Sequence, residues 1–258
     1  MALMETHYYS SSLGSNITLN VFVPTPGSSE QIIQMGHSAK YDYENGLPVL
    51  YLQHGFGENE GSWVWQGRIG WMMDNFLSEK KVMPMLIVMA DGMMSEDGDP
   101  EKKINPSLFT KFLTQDLMPY VEARYRVLTG RENCAVAGLS MGSMQAAMAA
   151  FSYPEKFAWI GLFSGFLRNY IGVEEIADSH LMQAFADVEA FNQNTRLLFR
   201  AMGREDSFFS WFMQEDQLCE DYGFKQVRRV YEGGHDWNVW RKCAAEFLPM
   251  LFRTQEIR

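Results

Sequence analysis

The sequence predicts one α/β domain, with a mainly parallel sheet of about eight strands and helices on both faces. Three observations carry this. From Leu47 onward, short apolar runs alternate with longer stretches of helical spacing. Glycine-containing turns such as His54-Gly55, Asp91-Gly92 and Ser164-Gly165 close the runs on their C-terminal side. No internal repeat, low-complexity segment or domain break interrupts the order, so residues 1–258 read as a single domain.

Each element follows from its residues. Tyr8 to Ser12 and Ile17 to Val23 are β-rich and flank the turn-prone Leu13-Gly14-Ser15-Asn16, which predicts an antiparallel hairpin at the sheet edge. Pro24 to Gly46 is polar and irregular, a surface excursion. Leu47 to Gln53 is a buried-strand run, followed by a Trp- and Gly-rich stretch and a helix through Met72 to Leu77. Met85 to Ala90 is the next strand. Leu108, Phe112, Leu113 and Leu117 recur at helical spacing, and Val121 and Tyr125 continue it past Pro119. Cys134 to Leu139 is a strand, and the Ala- and Met-rich Ser143 to Phe151 a helix. Phe157 to Phe163, Arg196 to Ala201 and Gln226 to Tyr231 are further strands, with helices at Phe208 to Tyr222 and from Trp237 to about Phe252. Residues 166–194 break the rhythm and read as short helices over the strand ends, either an insert that shapes a pocket or a surface elaboration.

Bulk properties exclude several classes of function. With 47 % apolar and 14 % aromatic residues the chain has material for a core. A formal charge of −10, without a Lys/Arg run, argues against a nucleic-acid partner. No apolar stretch is long enough to span a membrane, so none is expected as a partner. Cys134, Cys219 and Cys243 are odd in number and far apart, which fits neither a disulfide framework nor a metal site. No phosphate-binding glycine loop, zinc-type histidine pair or calcium loop appears, so neither metal nor cofactor is expected. The N-terminus lacks the basic start and apolar segment of a signal peptide. Location therefore stays open between the cytoplasm and secretion after removal of a signal, and the oligomeric state is not set.

The chemistry concentrates at Gly138-Leu139-Ser140-Met141-Gly142, between the Cys134 run and the helix. A strand, a sharp glycine-bracketed turn carrying serine, and a helix form the context of a nucleophile elbow. The glycines leave room for a tight reversal, Ser140 is strained and exposed, and the helix N-terminus faces developing negative charge. Ser140 needs a base, and His235, after Gly233-Gly234, is the candidate. Asp206, after the penultimate strand, is the candidate acid to orient His235, with Glu205 and Asp236 as competitors; Asp236 has a helix to cap. The order Ser140, Asp206, His235 is that of the α/β-hydrolase fold. Two N–H donors are required for the oxyanion. Met141 is expected to supply one and Phe56 the other, with His54 bracing the loop. Trp237 is expected to line the pocket, while Met93, Met94 and Met144 suit a pliable wall or plain core.

The stretches Pro48 to Trp63, Leu113 to Val127, Ala135 to Gly142, Lys156 to Gly165 and Glu232 to Trp240 together resemble the family-1 carbohydrate esterases, over roughly Tyr8 to Leu251. The resemblance implies Ser140 as nucleophile, Asp206 as acid and His235 as base. It further implies an esterase acting on plant cell-wall acyl esters, feruloyl before acetyl, with a small-molecule or oligosaccharide ester as substrate. Two departures border the pocket: Ser143 stands where many relatives carry glycine, and H-G-F-G-E-N lacks the double glycine common there. A general short-chain carboxylesterase, a thioesterase like S-formylglutathione hydrolase, and a catalytically silent binding protein are the alternatives.

Overall fold

The computed structural model describes residues 1–24, 45–95, 105, 107–167, 184 and 186–253. Eight strands form one sheet: β1 (Ala2–Ser10), β2 (Ser15–Val23), β3 (Val49–Gln53), β4 (Leu86–Ala90), β5 (Cys134–Leu139), β6 (Trp159–Phe163), β7 (Leu197–Gly203) and β8 (Val227–Tyr231). Their order is β1-β2-β4-β3-β5-β6-β7-β8. The β1–β2 and β2–β4 pairs are antiparallel and every other pair is parallel. This is the α/β-hydrolase fold that the element order predicts.

The described helices are α1 (Ser62–Trp65), α2 (Ile69–Ser78), α3 (Ser107–Phe112), α4 (Met118–Arg124), α5 (Met141–Ser152), α6 (Val188–Asn194), α7 (Phe209–Tyr222) and α8 (Trp237–Phe247). Strand alternation sorts the core into two layers. Val49 and Tyr51 of β3 face one side, with Phe112, Leu117, Val121 and Phe151. Leu50 and Leu52 face the other, with Trp63, Met73, Val239 and Phe247. Both faces are covered, so β3, β4, β5, β6 and β7 are buried along their whole length.

Several boundaries differ from the sequence reading, among them the last helix, which ends at Phe247 rather than about Phe252. The hairpin turn occupies Ser11 to Gly14, not Leu13 to Asn16. The Asp116 carboxylate accepts the Ser11 hydroxyl at 3.0 Å and the Ser12 amide at 2.9 Å, pinning the turn earlier. β1 starts at Ala2 rather than near Tyr8, because its mostly exposed residues leave no burial pattern to read. The Trp- and Gly-rich stretch holds the separate short helix α1, and α2 starts afresh at Ile69 after Arg68, which takes a left-handed φ of 53°. Pro119 is absorbed through a π turn, Leu113–Leu117, which hands α3 on to α4. Of the expected insert, residues 168–183 and 185 lie outside the described residues; α6 closes its C-terminal end. The excursion over 25–44 lies outside them as well.

Parallel strands end at a common edge, and this positions the chemistry. β5 lies between β3 and β6, so Ser140 emerges mid-sheet beside the loop that leaves β3. The loops after β7 and β8, with Asp206 and His235, open on the same edge.

Candidate active site

Ser140 occupies the tight turn between β5 and α5 with φ 51° and ψ −119°, a conformation that costs energy outside glycine. Close packing enforces it. A Cβ on Gly138 would lie 2.3 Å from the Gly142 carbonyl oxygen, and one on Gly142 would lie 2.3 Å from that of His54. The Ser140 amide donates to the Phe163 carbonyl of β6 at 2.9 Å. Ser143 acts as a strut: its amide and hydroxyl both donate to the Ser140 carbonyl, at 3.0 and 2.8 Å. The serine that departs from the resemblance therefore stiffens the elbow, and its Oγ fills the space beside Gly165.

His235 stands over this turn. Its Nε2 is 2.8 Å from Ser140 Oγ and its Nδ1 is 2.8 Å from Asp206 Oδ2. A carboxylate can only accept, so Nδ1 carries the proton and Nε2 is free to accept from the serine hydroxyl. The imidazole is flanked edge-on by Phe208 and Trp240, with ring centroids 5.3 and 5.2 Å away. Asp206 is buried, which alone would raise its pKa. Hydrogen bonds from His235 and from the Phe208 amide, with the attraction of His235, outweigh burial and hold it below the usual carboxylate range. The two loops are bound to each other: the Arg204 amide donates to the Tyr231 carbonyl and the Glu205 amide to that of Gly233. Of the competing acids, Glu205 is exposed, and Asp236 caps α8 by accepting the Asn238 and Val239 amides at 2.7 and 3.3 Å.

The loop after β3 packs directly against the serine, since a Cβ on Gly55 would be 3.5 Å from Ser140 Cβ. His54 braces it as expected. Its Nδ1 lies 2.8 Å from the Gly55 carbonyl, and its Nε2 accepts the Gly92 amide at 2.8 Å, which makes Nδ1 the donor. Within the loop the Gly55 amide donates to Glu58 Oε2 at 3.0 Å, and the Gly57 amide to Met93 Sδ at 3.3 Å. The Phe56 amide between them has no partner among the described residues, and neither does that of Met141 at the start of α5. The Phe56 side chain is 69 % exposed, while that of Met141 is buried. Trp237 is half-buried. Its indole donates to Glu58 Oε1 at 2.8 Å, and its ring meets Trp63 and Trp240 edge-on at 5.0 and 5.2 Å, so it braces the site.

Residues not singled out from the sequence also support the edge. Gln53 donates to the Ala90 carbonyl at 3.1 Å and Gln145 to the Gly92 carbonyl at 2.9 Å, fixing the turn that carries Met93. Buried Arg200 pairs with Glu215 and Asp216 at 2.9 Å each, and Glu215 also accepts the Leu167 amide. An arginine inside the run L-L-F-R-A-M was the available signal. Among the described residues a cavity of about 200 Å³ lies at the opposite sheet edge, near the starts of β3 and β5, away from Ser140. No group of His, Cys, Asp or Glu among the described residues is placed to hold a metal.

A serine hydroxyl bonded to a neutral imidazole, itself oriented by a carboxylate, can deliver an alkoxide to a carbonyl. Comparison with known proteins agrees with that chemistry. The Esterase family model matches residues 10–251. The chain is 30 % identical to the endo-1,4-beta-xylanase/feruloyl esterase of Xylanibacter ruminicola, over 97 % of this chain and 31 % of that protein. It thus spans about a third of that relative. It is 23 % identical to an acetyl esterase of Caldicellulosiruptor saccharolyticus, over 99 % of this chain and 100 % of that one. In structure it is similar to a ferulic acid esterase of Anaeromyces mucronatus solved with ferulic acid, with TM-score 0.77, 21 % identity and coverage of 97 % and 90 %. With a family match over nearly its whole length, the chain, whose fold is that of an α/β-hydrolase, belongs to the Esterase family.

Proposed function

We propose that this chain is a serine carboxylesterase that hydrolyses acyl esters of plant cell-wall polysaccharides, feruloyl esters first and acetyl esters second. The observation that carries the reading is the continuous hydrogen-bonded line Ser140–His235–Asp206, with both links at 2.8 Å. The feruloyl and acetyl esterase names of the relatives support the substrate class.

His235 takes the Ser140 proton as Oγ adds to the ester carbonyl, and Asp206 stabilises the imidazolium that forms. The Phe56 and Met141 amides, both without partners among the described residues, accept the role of oxyanion donors. Collapse of the tetrahedral intermediate breaks the C–O bond to the sugar, and His235 returns the proton to the leaving alcohol. Water, deprotonated by His235, then adds to the acyl-serine, and release of the acid restores Ser140. A strained, pre-set serine needs little reorganisation to attack.

The test is a comparison of rates on methyl ferulate, acetylated xylan and a short-chain nitrophenyl ester, with Ser140→Ala as the blank. Ferulate preference, with a loss of up to about a million-fold in the variant, is expected. Turnover of the short ester alone would discard the feruloyl assignment and keep the mechanism. Silence on all three would remove the enzymatic reading.

A further inference from the structure

Glu58 joins two parts of the site that the chain otherwise leaves separate. One carboxylate oxygen, Oε2, accepts the Gly55 amide at 3.0 Å; the other, Oε1, accepts the Trp237 indole N–H at 2.8 Å. The Glu58 amide also donates to the Gly55 carbonyl at 3.3 Å, closing a small turn around Phe56 and Gly57. Trp237 opens α8 two residues after His235 and is wedged edge-on between Trp63 and Trp240. The bridge therefore runs from the loop beside Ser140 to the start of α8, two residues after His235, across 179 residues of sequence.

Glu58 lies against the loop that flanks Ser140. Glu58 Oε2 and Ser140 Cβ each lie 3.5 Å from the place a Cβ would take on Gly55, so the carboxylate and the serine flank the same glycine. An unneutralised carboxylate there opposes a second negative charge. Two N–H donors offset this, one on each oxygen. The bond from Gly55 has a second effect: it engages that amide, leaving the Phe56 amide as the donor without a partner among the described residues between two engaged ones.

We propose that Glu58 is a positioning residue: through its bridge between Gly55 and Trp237 it holds the Phe56 amide toward the oxyanion and sets that donor's distance from His235. This rests on the esterase reading, with Phe56 as an oxyanion donor. Glu58 touches no reacting atom, and its contribution is to the transition state through the loop geometry, so its loss acts on kcat and leaves KM nearly alone.

The experiment compares wild type, Glu58→Ala, Glu58→Gln, Trp237→Phe and Glu58→Ala/Trp237→Phe for kcat and KM on a nitrophenyl ester. Affinity for phenylboronic acid, which forms a tetrahedral adduct on serine, and for ferulate is measured alongside, with thermal melting as the folding control. Glu58→Ala is expected to lower kcat by about 10- to 100-fold, less than deleting a donor outright, with KM within threefold. Boronate affinity falls in parallel and ferulate affinity does not. Glu58→Gln keeps one acceptor and removes the charge; it is expected to be slower than wild type and faster than Glu58→Ala. The double variant is expected to be no slower than the slower single variant, because both break the same bridge. Should Glu58→Ala fail to fold, Glu58→Gln, which keeps the volume, and Trp237→Phe, which keeps an aromatic ring, carry the test. A Glu58→Gln enzyme faster than wild type, kcat unchanged in folded variants, or multiplicative losses in the double variant would each overturn the proposal. A wild type that hydrolyses no ester and binds no boronate would instead overturn the esterase reading beneath it.

Discussion

Ser140 Oγ and His235 Nε2 lie 2.8 Å apart although 95 residues separate them in the chain. The parallel sheet brings them together: β5 and β8 end at the same edge, and glycines permit the close turns at Ser140 and before His235. Nothing local to either residue would create that distance. It is a property of strand order, and disturbances of the strand ends should appear in catalysis before they appear in stability.

The Gly138–Gly142 contact makes this testable. A methyl group on Gly138 meets the Gly142 backbone at 2.3 Å, with no flexible side chain to yield. Gly138→Ala is expected to cost about 1–3 kcal/mol of stability by overpacking. Displacement of the elbow is expected to cost on the order of 100-fold in kcat at temperatures where the variant is still folded. Chemical denaturation and steady-state rates on one sample check both.

Asp206 links catalysis to stability. Its carboxyl is held below the ordinary range, so the unfolded chain takes up a proton at higher pH than the folded one. Its contribution to stability is therefore complete above the unfolded value of about 4 and disappears as pH falls through the lower, folded value. The stability gap between wild type and Asp206→Asn should be constant from pH 6 to about 5 and narrow toward strong acid. At neutral pH the same variant is expected to lose about ten-thousand-fold in kcat, because an amide favours the wrong imidazole tautomer.

The three thiols are buried, and burial pushes the Cys219 thiol up to about 11 and those of Cys134 and Cys243 up further still. Ellman's reagent at pH 7.5 is expected to find no fast-reacting thiol in the folded protein and three after denaturation. A stoichiometric fast phase in the native state would contradict this burial.

The fold was legible because its signals are local and repeated. Cys134 to Leu139, read as one short apolar run, is β5 with the same ends. Ser140, Asp206 and His235 were legible because strand-end position and chain order constrain them jointly. Features that depend on side chains from distant segments were not. The Ser11–Gly14 turn is set by Asp116, about a hundred residues away. Arg200 lies buried against Glu215 and Asp216, and its position in an apolar strand cannot name its partners. Nothing in the sequence around Glu58 names its partner, and only the folded chain brings Trp237 to it. Trp237 itself was expected as pocket wall, and its indole proves to be engaged in that bridge.

The central claim is that Ser140 is the nucleophile and His235 its base. The most direct measurement is the rate and site of modification by a fluorophosphonate, read by intact mass and peptide mapping. One adduct per chain is expected, on Ser140, absent in Ser140→Ala and formed far more slowly in His235→Ala. An adduct on any other residue, or equal labelling of wild type and His235→Ala, would contradict it.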